Sequence, residues 1–163
     1  MDASQKGMAE NRFIVAWIIW AAMMGSLAVY ILICNVIGDD VRRPMGPDFS
    51  LALLRKIFFG LSTAALIAAH FIRKFVLRKP SGGSGPAPAS QPSPQDMAAR
   101  YAKYTTAMII SLALCESVGI YGLLLFFLGD GIKTLYSFMV ISAAGMFYYR
   151  PKREEFEALS RGY

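Results

Sequence analysis

Four stretches of the chain, residues 13–38, 57–72, 104–129 and 134–149, are almost continuously apolar, and every Asp, Glu, Lys and Arg except Glu116 lies outside them. Unbroken apolar runs do not alternate as the strands of a membrane β-barrel must, and lipid leaves no other partner for the backbone than the helix's own ladder. The pattern therefore predicts an all-α, polytopic membrane protein with four transmembrane helices arranged as two helical hairpins. At about 1.5 Å per residue, the first and third stretches cross a hydrocarbon core of roughly 30 Å with length to spare. The second and fourth have 16 residues each and need their flanks. Arg55, Lys56, Arg73 and Lys74 can snorkel around the second, and Lys133, Tyr136, Tyr148, Tyr149 and Arg150 can anchor the fourth.

Punctuation between the runs sets the domain plan. Residues 1–79 form a first transmembrane hairpin, 80–97 a flexible linker, 98–150 a second hairpin and 151–163 a cytoplasmic tail. Within 80–95, 12 of 16 residues are Pro, Gly or Ser and none is charged, so this segment cannot bury a core. The connection 39–50 carries Arg42, Arg43 and two prolines, and 130–133 is a tight turn, which leaves no room for an external domain. In the tail, Phe156 and Leu159 lie three apart among glutamates, the spacing of a short surface helix.

Composition and charge add orientation. The mean hydropathy is +0.42 and charged residues make up only 17% of the chain, which excludes an ordinary water-soluble domain. Twelve Lys and Arg fall in the N-terminus, the central connection and the tail, against five in the other two loops, so both termini are expected in the cytoplasm of a cell (inner) membrane protein. The same asymmetry accounts for the net charge of +6. Attraction to anionic lipid suffices to explain it, and no basic stripe interleaved with aromatics suggests nucleic acid as a partner. The acidic residues and length of the N-terminal run argue against a cleaved signal peptide. Cys34 and Cys115, both inside apolar runs, suggest buried small side chains, with neither a disulfide nor a metal site. No cofactor is expected, and without a nucleophile and base pair, a Cys-x-x-Cys motif or a phosphate-binding glycine loop, no enzyme chemistry follows.

The first and third runs match each other at a shift of 91 residues. Ala16, Ile18, Ile19, Ala22, Ser26, Tyr30, Leu32, Gly38 and Asp39 meet Ala107, Ile109, Ile110, Ala113, Ser117, Tyr121, Leu123, Gly129 and Asp130. The polar and glycine matches point to a parallel duplication in which Glu116 stands opposite Gly25.

Glu116 carries the candidate chemistry. An acid at the centre of a spanning helix costs about +2.5 to +3.5 kcal/mol on insertion scales, so it needs a partner or a task. Low dielectric favours its neutral form, which can exchange a proton when its surroundings change. Polar glue between helices is the structural alternative. Ser111, Cys115 and Gly119 form a small-residue stripe beside it, and Gly60, Ala64 and Ala68 a second one on the preceding run, both expected to pack helices closely. His70, near the end of the second run, is expected to be interfacial.

Residues 104–128 resemble the C-terminal helix of the rotor-ring proteolipid of F-type and V-type ATP synthases. The resemblance rests on Thr106 to Met108 upstream, the acid Glu116, the small Ser117, then Gly119-Ile120-Tyr121 and Leu123. It implies that Glu116 takes up H+ or Na+, with Ser117 a ligand or hydrogen-bond partner and Tyr121 a stabiliser of that ion site. Val118 stands where the sodium-binding branch has Thr, and no span contains Gln, which favours H+. Three readings remain at this point: an ion-translocating proteolipid-like subunit in a homo-oligomer or with other membrane subunits, a structural or accessory subunit, and a small proton-coupled transporter.

Overall fold

The computed structural model describes residues 3–41, 50–78 and 94–155. The described residues contain helices only: α1 (Ala3–Val36), the short α2 (Gly38–Val41), α3 (Leu51–Arg78), α4 (Pro94–Phe127) and α5 (Ile132–Tyr148). The connection from 42 to 49, most of the linker and the tail from residue 156, with Phe156 and Leu159, lie outside the described residues. Helix α4 begins at Pro94, inside the segment assigned to the linker by composition, with Pro at the helix start, where its missing N–H leaves no bond unmade.

Three helices are long and apolar enough to cross a membrane, over Glu10–Val36, Leu51–Phe75 and Ala98–Phe127. The 16-residue apolar run of α3 thus sits inside a 25-residue span, and Arg55, Lys56, Arg73 and Lys74 complete it at both ends. With 17 residues, α5 is a fourth and shorter membrane helix of about 25 Å. The chain is an all-α polytopic membrane protein.

α4 is the centre. In its most apolar window 44% of residues are buried, against 11% in α1 and in α3, because α4 packs on α1, α3 and α5 while the others turn broad faces outward. Small residues make this possible. A Cβ on Gly122 would lie 2.6 Å from Cβ of Phe138 on α5, and one on Gly119 would lie 2.7 Å from Cδ2 of Leu27 on α1. A Cβ on Gly145 of α5 would lie 2.8 Å from Cys115 Sγ and 3.2 Å from Leu66 Cδ2, so α5, α4 and α3 meet at one point.

The contacts also fix direction. Arg12 sits over the Tyr101 ring, Leu27 meets Gly119 and Gly38 meets Phe126, so α1 and α4 run parallel with an offset close to that of the internal sequence match. α3 and α5 run the other way: Phe58 stacks on Tyr121, the Phe59 ring lies tilted against Phe138 at 4.4 Å, and Arg73 lies near the Tyr104 ring.

Both ends of the bundle are pinned by ions. After α4, Gly129 takes φ 103° and the Asp130 and Gly129 N–H groups donate to Leu125 and Phe126 carbonyls, a glycine-terminated cap. This turns Asp130 inward, where it accepts from the Gly131 N–H at 2.7 Å and from Arg55 of α3 through both oxygens. Burial on its own would raise the Asp130 carboxyl, but Arg55, the Gly131 N–H and Thr134 hold it below its ordinary value of 3.8. At the opposite end Arg73 donates to Glu155 at 2.5 Å and to the Tyr149 carbonyl, and Tyr104 donates to Glu155 at 2.7 Å.

Candidate functional site

Glu116 lies on the α1 side of α4, partly buried, and its carboxylate is met by two hydroxyls from α1. Ser26 Oγ is 2.5 Å and Tyr30 OH 3.0 Å from Glu116 Oε1. They lie four residues apart, one helical turn, and so share one face of α1. Leu27, between them in sequence, fills the space over Gly119, which brings the two backbones close enough for a serine to span the gap.

Ser26 makes a second short contact, 2.7 Å to the carbonyl of Met23 one turn back. A serine hydroxyl has one hydrogen to donate and two lone pairs to accept with, so it cannot donate to both oxygens at once. With the carboxyl ionised, Ser26 and Tyr30 both donate to Oε1. With it neutral, the acid's O–H can donate to Ser26 Oγ while the serine hydrogen turns to Met23. One rotation of a hydroxyl therefore satisfies either protonation state with no heavy atom displaced. The second carboxyl oxygen, Oε2, has no hydrogen-bond partner among the described residues.

The residues expected around Glu116 from sequence are placed as follows. Ser117 donates to its own helix at the Leu114 carbonyl, 2.8 Å away, and Tyr121 stacks on Phe58 at 5.2 Å on the α3 side. Neither is hydrogen-bonded to the carboxylate in this chain. Their counterparts in the internal match, Ser26 and Tyr30, are the ones that do, and Ser26 even repeats the three-residue back-bond of Ser117. Sequence reasoning singled out the α4 pair and missed the α1 pair, although the 91-residue shift had already set Ser26 with Ser117 and Tyr30 with Tyr121.

On α4, Ser111, Cys115 and Gly119 are buried, and Ser142 of α5 donates to the Cys115 carbonyl at 2.6 Å. On α3 the outcome differs. Gly60 has open space around it, Ala64 is exposed and Ala68 half-buried, while Ser62 and Ala69 are buried against the bundle. Arg55 reaching Asp130 and Leu66 reaching Gly145 set the rotation of α3. Cys34 and Cys115 are buried free thiols, and His70 is exposed in the C-terminal part of α3.

An isolated carboxyl held by hydroxyls within a membrane bundle defines a class: polytopic helical proteins with one acidic group in the apolar layer. Residues 89–128, which contain the whole of α4 with Glu116, match the model of the ATP synthase C-subunit family. This part of the chain is similar to the rotor-ring proteolipid. No curated protein and no solved structure gives a match to the chain.

Proposed function

We propose that the protein is a proteolipid-like subunit of a multi-copy membrane complex, with both termini cytoplasmic, in which the Glu116 carboxyl takes up and releases a proton. The observation that carries this reading is the contact of Ser26 with both Glu116 Oε1 and the Met23 carbonyl, which accommodates the acid in either state. The family match over the same helix supports it. A proton needs one base and a nearby hydroxyl, whereas a hard metal cation needs a fuller shell of oxygens than Glu116, Ser26 and Tyr30 supply. The parallel, near-register packing of α1 on α4 supports descent from a duplicated segment that kept the carboxylate in only one copy, leaving one ionisable site per chain.

A second reading is favoured by the same contacts. Glu116 bonded to α1 is also what a purely structural polar tie in an accessory subunit would look like. Apolar carbodiimides react with protonated carboxyls in apolar surroundings, so labelling of the purified protein mapped by mass spectrometry across pH separates the two. Labelling at Glu116 that depends on pH and disappears in Glu116→Gln supports a proton site. Absence of labelling at every pH leaves the structural tie.

A further inference from the structure

At the end of the bundle that holds Arg12 and Arg73, between the C-terminal parts of α3 and α5 and the chain after Pro151, lies a cleft of about 210 Å3 lined by His70, Arg73, Lys74, Tyr148, Lys152 and Glu155. The geometry points to this cleft as a seat for the phosphate of an anionic phospholipid headgroup. It is distinct from the Glu116 site and independent of its role.

Charge favours an anion here. Three cations face one carboxylate, and that carboxylate, Glu155, is already engaged by Arg73 and by the Tyr104 hydroxyl. Lys74 and Lys152 come from separate segments, α3 and the stretch after α5, and neither ammonium has a hydrogen bond or ion pair among the described residues. Two unpaired ammonium groups held at one cleft repel each other and are relieved by an anion. Arg73 is itself tied to Glu155 and the Tyr149 carbonyl, so its guanidinium is a fixed wall of the cleft and does not swing away.

Position favours a lipid. Next to His70 and Lys74 in α3, Phe71 and Phe75 are 64% and 66% exposed, an apolar surface on which acyl chains would lie in a bilayer, while Lys152 stands beyond the end of α5 where water begins. The cleft thus spans the boundary at which lipid phosphates sit, with an aromatic side chain at headgroup level. Its volume is several times the roughly 30 Å3 share of one water molecule, enough for a phosphate and part of its hydration. Basic clefts between membrane helices at such a boundary suit phosphate-bearing headgroups. A free phosphate ion would share the cations but gain nothing from the apolar flank.

The test uses the full chain in detergent micelles, titrated separately with phosphatidylglycerol, phosphatidylcholine and inorganic phosphate, with retained lipid read by native mass spectrometry. Preferential retention of phosphatidylglycerol, lowered roughly fivefold for each of Lys74→Gln and Lys152→Gln, is the expected result. Lys56→Gln, at the other end of α3, should leave retention unchanged. Equal retention of the two lipids, or undiminished binding by the double variant, overturns the assignment. Displacement of phosphatidylglycerol by inorganic phosphate at equal concentration overturns the lipid in favour of a soluble phosphate. Both lysines are exposed and their ammonium groups have no partners among the described residues, so the variants should fold, and an unchanged thermal midpoint verifies that they do.

Discussion

Ser26 Oγ stands 2.5 Å from Glu116 Oε1 and 2.7 Å from the Met23 carbonyl, and its single hydrogen can serve only one of them. Two helices far apart in sequence are thereby coupled through one hydroxyl whose orientation follows the charge of the acid. Tyr30 holds the same oxygen at 3.0 Å and also lies within hydrogen-bond reach of Ser26, but it reaches no backbone carbonyl of α1 as Ser26 does, so the two hydroxyls play unequal parts.

This asymmetry predicts unequal effects of two small deletions. Ser26→Ala removes the hydroxyl that lies 2.5 Å from the acid and also reaches the Met23 carbonyl, whereas Tyr30→Phe removes the longer contact of 3.0 Å. In a double-mutant cycle with Glu116→Gln, measured by reversible unfolding in micelles, Ser26 should couple to residue 116 by about 0.6–1.7 kcal/mol, and Tyr30 by less. Coupling near zero for Ser26 would show that the short contact does not matter energetically.

The ion pair at the other end of the bundle should respond to acid. Asp130 is 4% exposed and held below 3.8, against its own burial, by Arg55, the Gly131 N–H and Thr134. A carboxyl lowered in the folded state contributes its full stabilisation above the unfolded value and loses it as pH falls through the folded one. Wild type should therefore lose stability below about pH 4 by a component that Asp130→Asn lacks. Arg55→Ala, which leaves Asp130 buried with fewer partners, should cost about 1.5–3 kcal/mol near neutral pH. Thermal unfolding followed from acidic to neutral pH measures both.

The glycines give a further contrast. A methyl at Gly122 would meet Phe138 Cβ at 2.6 Å and the Leu135 carbonyl at 3.3 Å, neither of which can yield without moving α5. Gly122→Ala should destabilise by about 1–3 kcal/mol. A methyl at Gly60 meets nothing within 4 Å, so Gly60→Ala should gain about 0.5–1 kcal/mol from the better helix former. Unfolding midpoints of the two variants should move in opposite directions.

Much of the membrane architecture was legible because lipid imposes it: apolar runs must become helices, and a single acid inside one stands out against them. Glu116 was visible on that ground. The partners of Glu116 were less so, because which faces of two apolar helices meet depends on how Leu27 fits Gly119 and how Trp20 reaches the Met146 carbonyl, at 2.9 Å. The internal match held the clue in Ser26 and Tyr30, but it ranked them as echoes of Ser117 and Tyr121 and not as ligands reaching across. The rotation of α3 was hidden for a similar reason. Arg55 and Arg73 look like ordinary flanking cations until Asp130 and Glu155, remote in sequence, turn toward them.

Proton exchange at Glu116 inside the bundle is tested most directly by infrared difference spectroscopy of the protein reconstituted in lipid, titrated with pH and compared with Glu116→Gln. The expected result is a carboxylic acid carbonyl band that converts reversibly to carboxylate, is absent from Glu116→Gln, and shifts in frequency in Ser26→Ala as its hydrogen-bond partner is lost. A Glu116 signal fixed in one protonation state over the whole range in which the protein stays folded would contradict proton exchange and leave the carboxyl as a tie between α1 and α4.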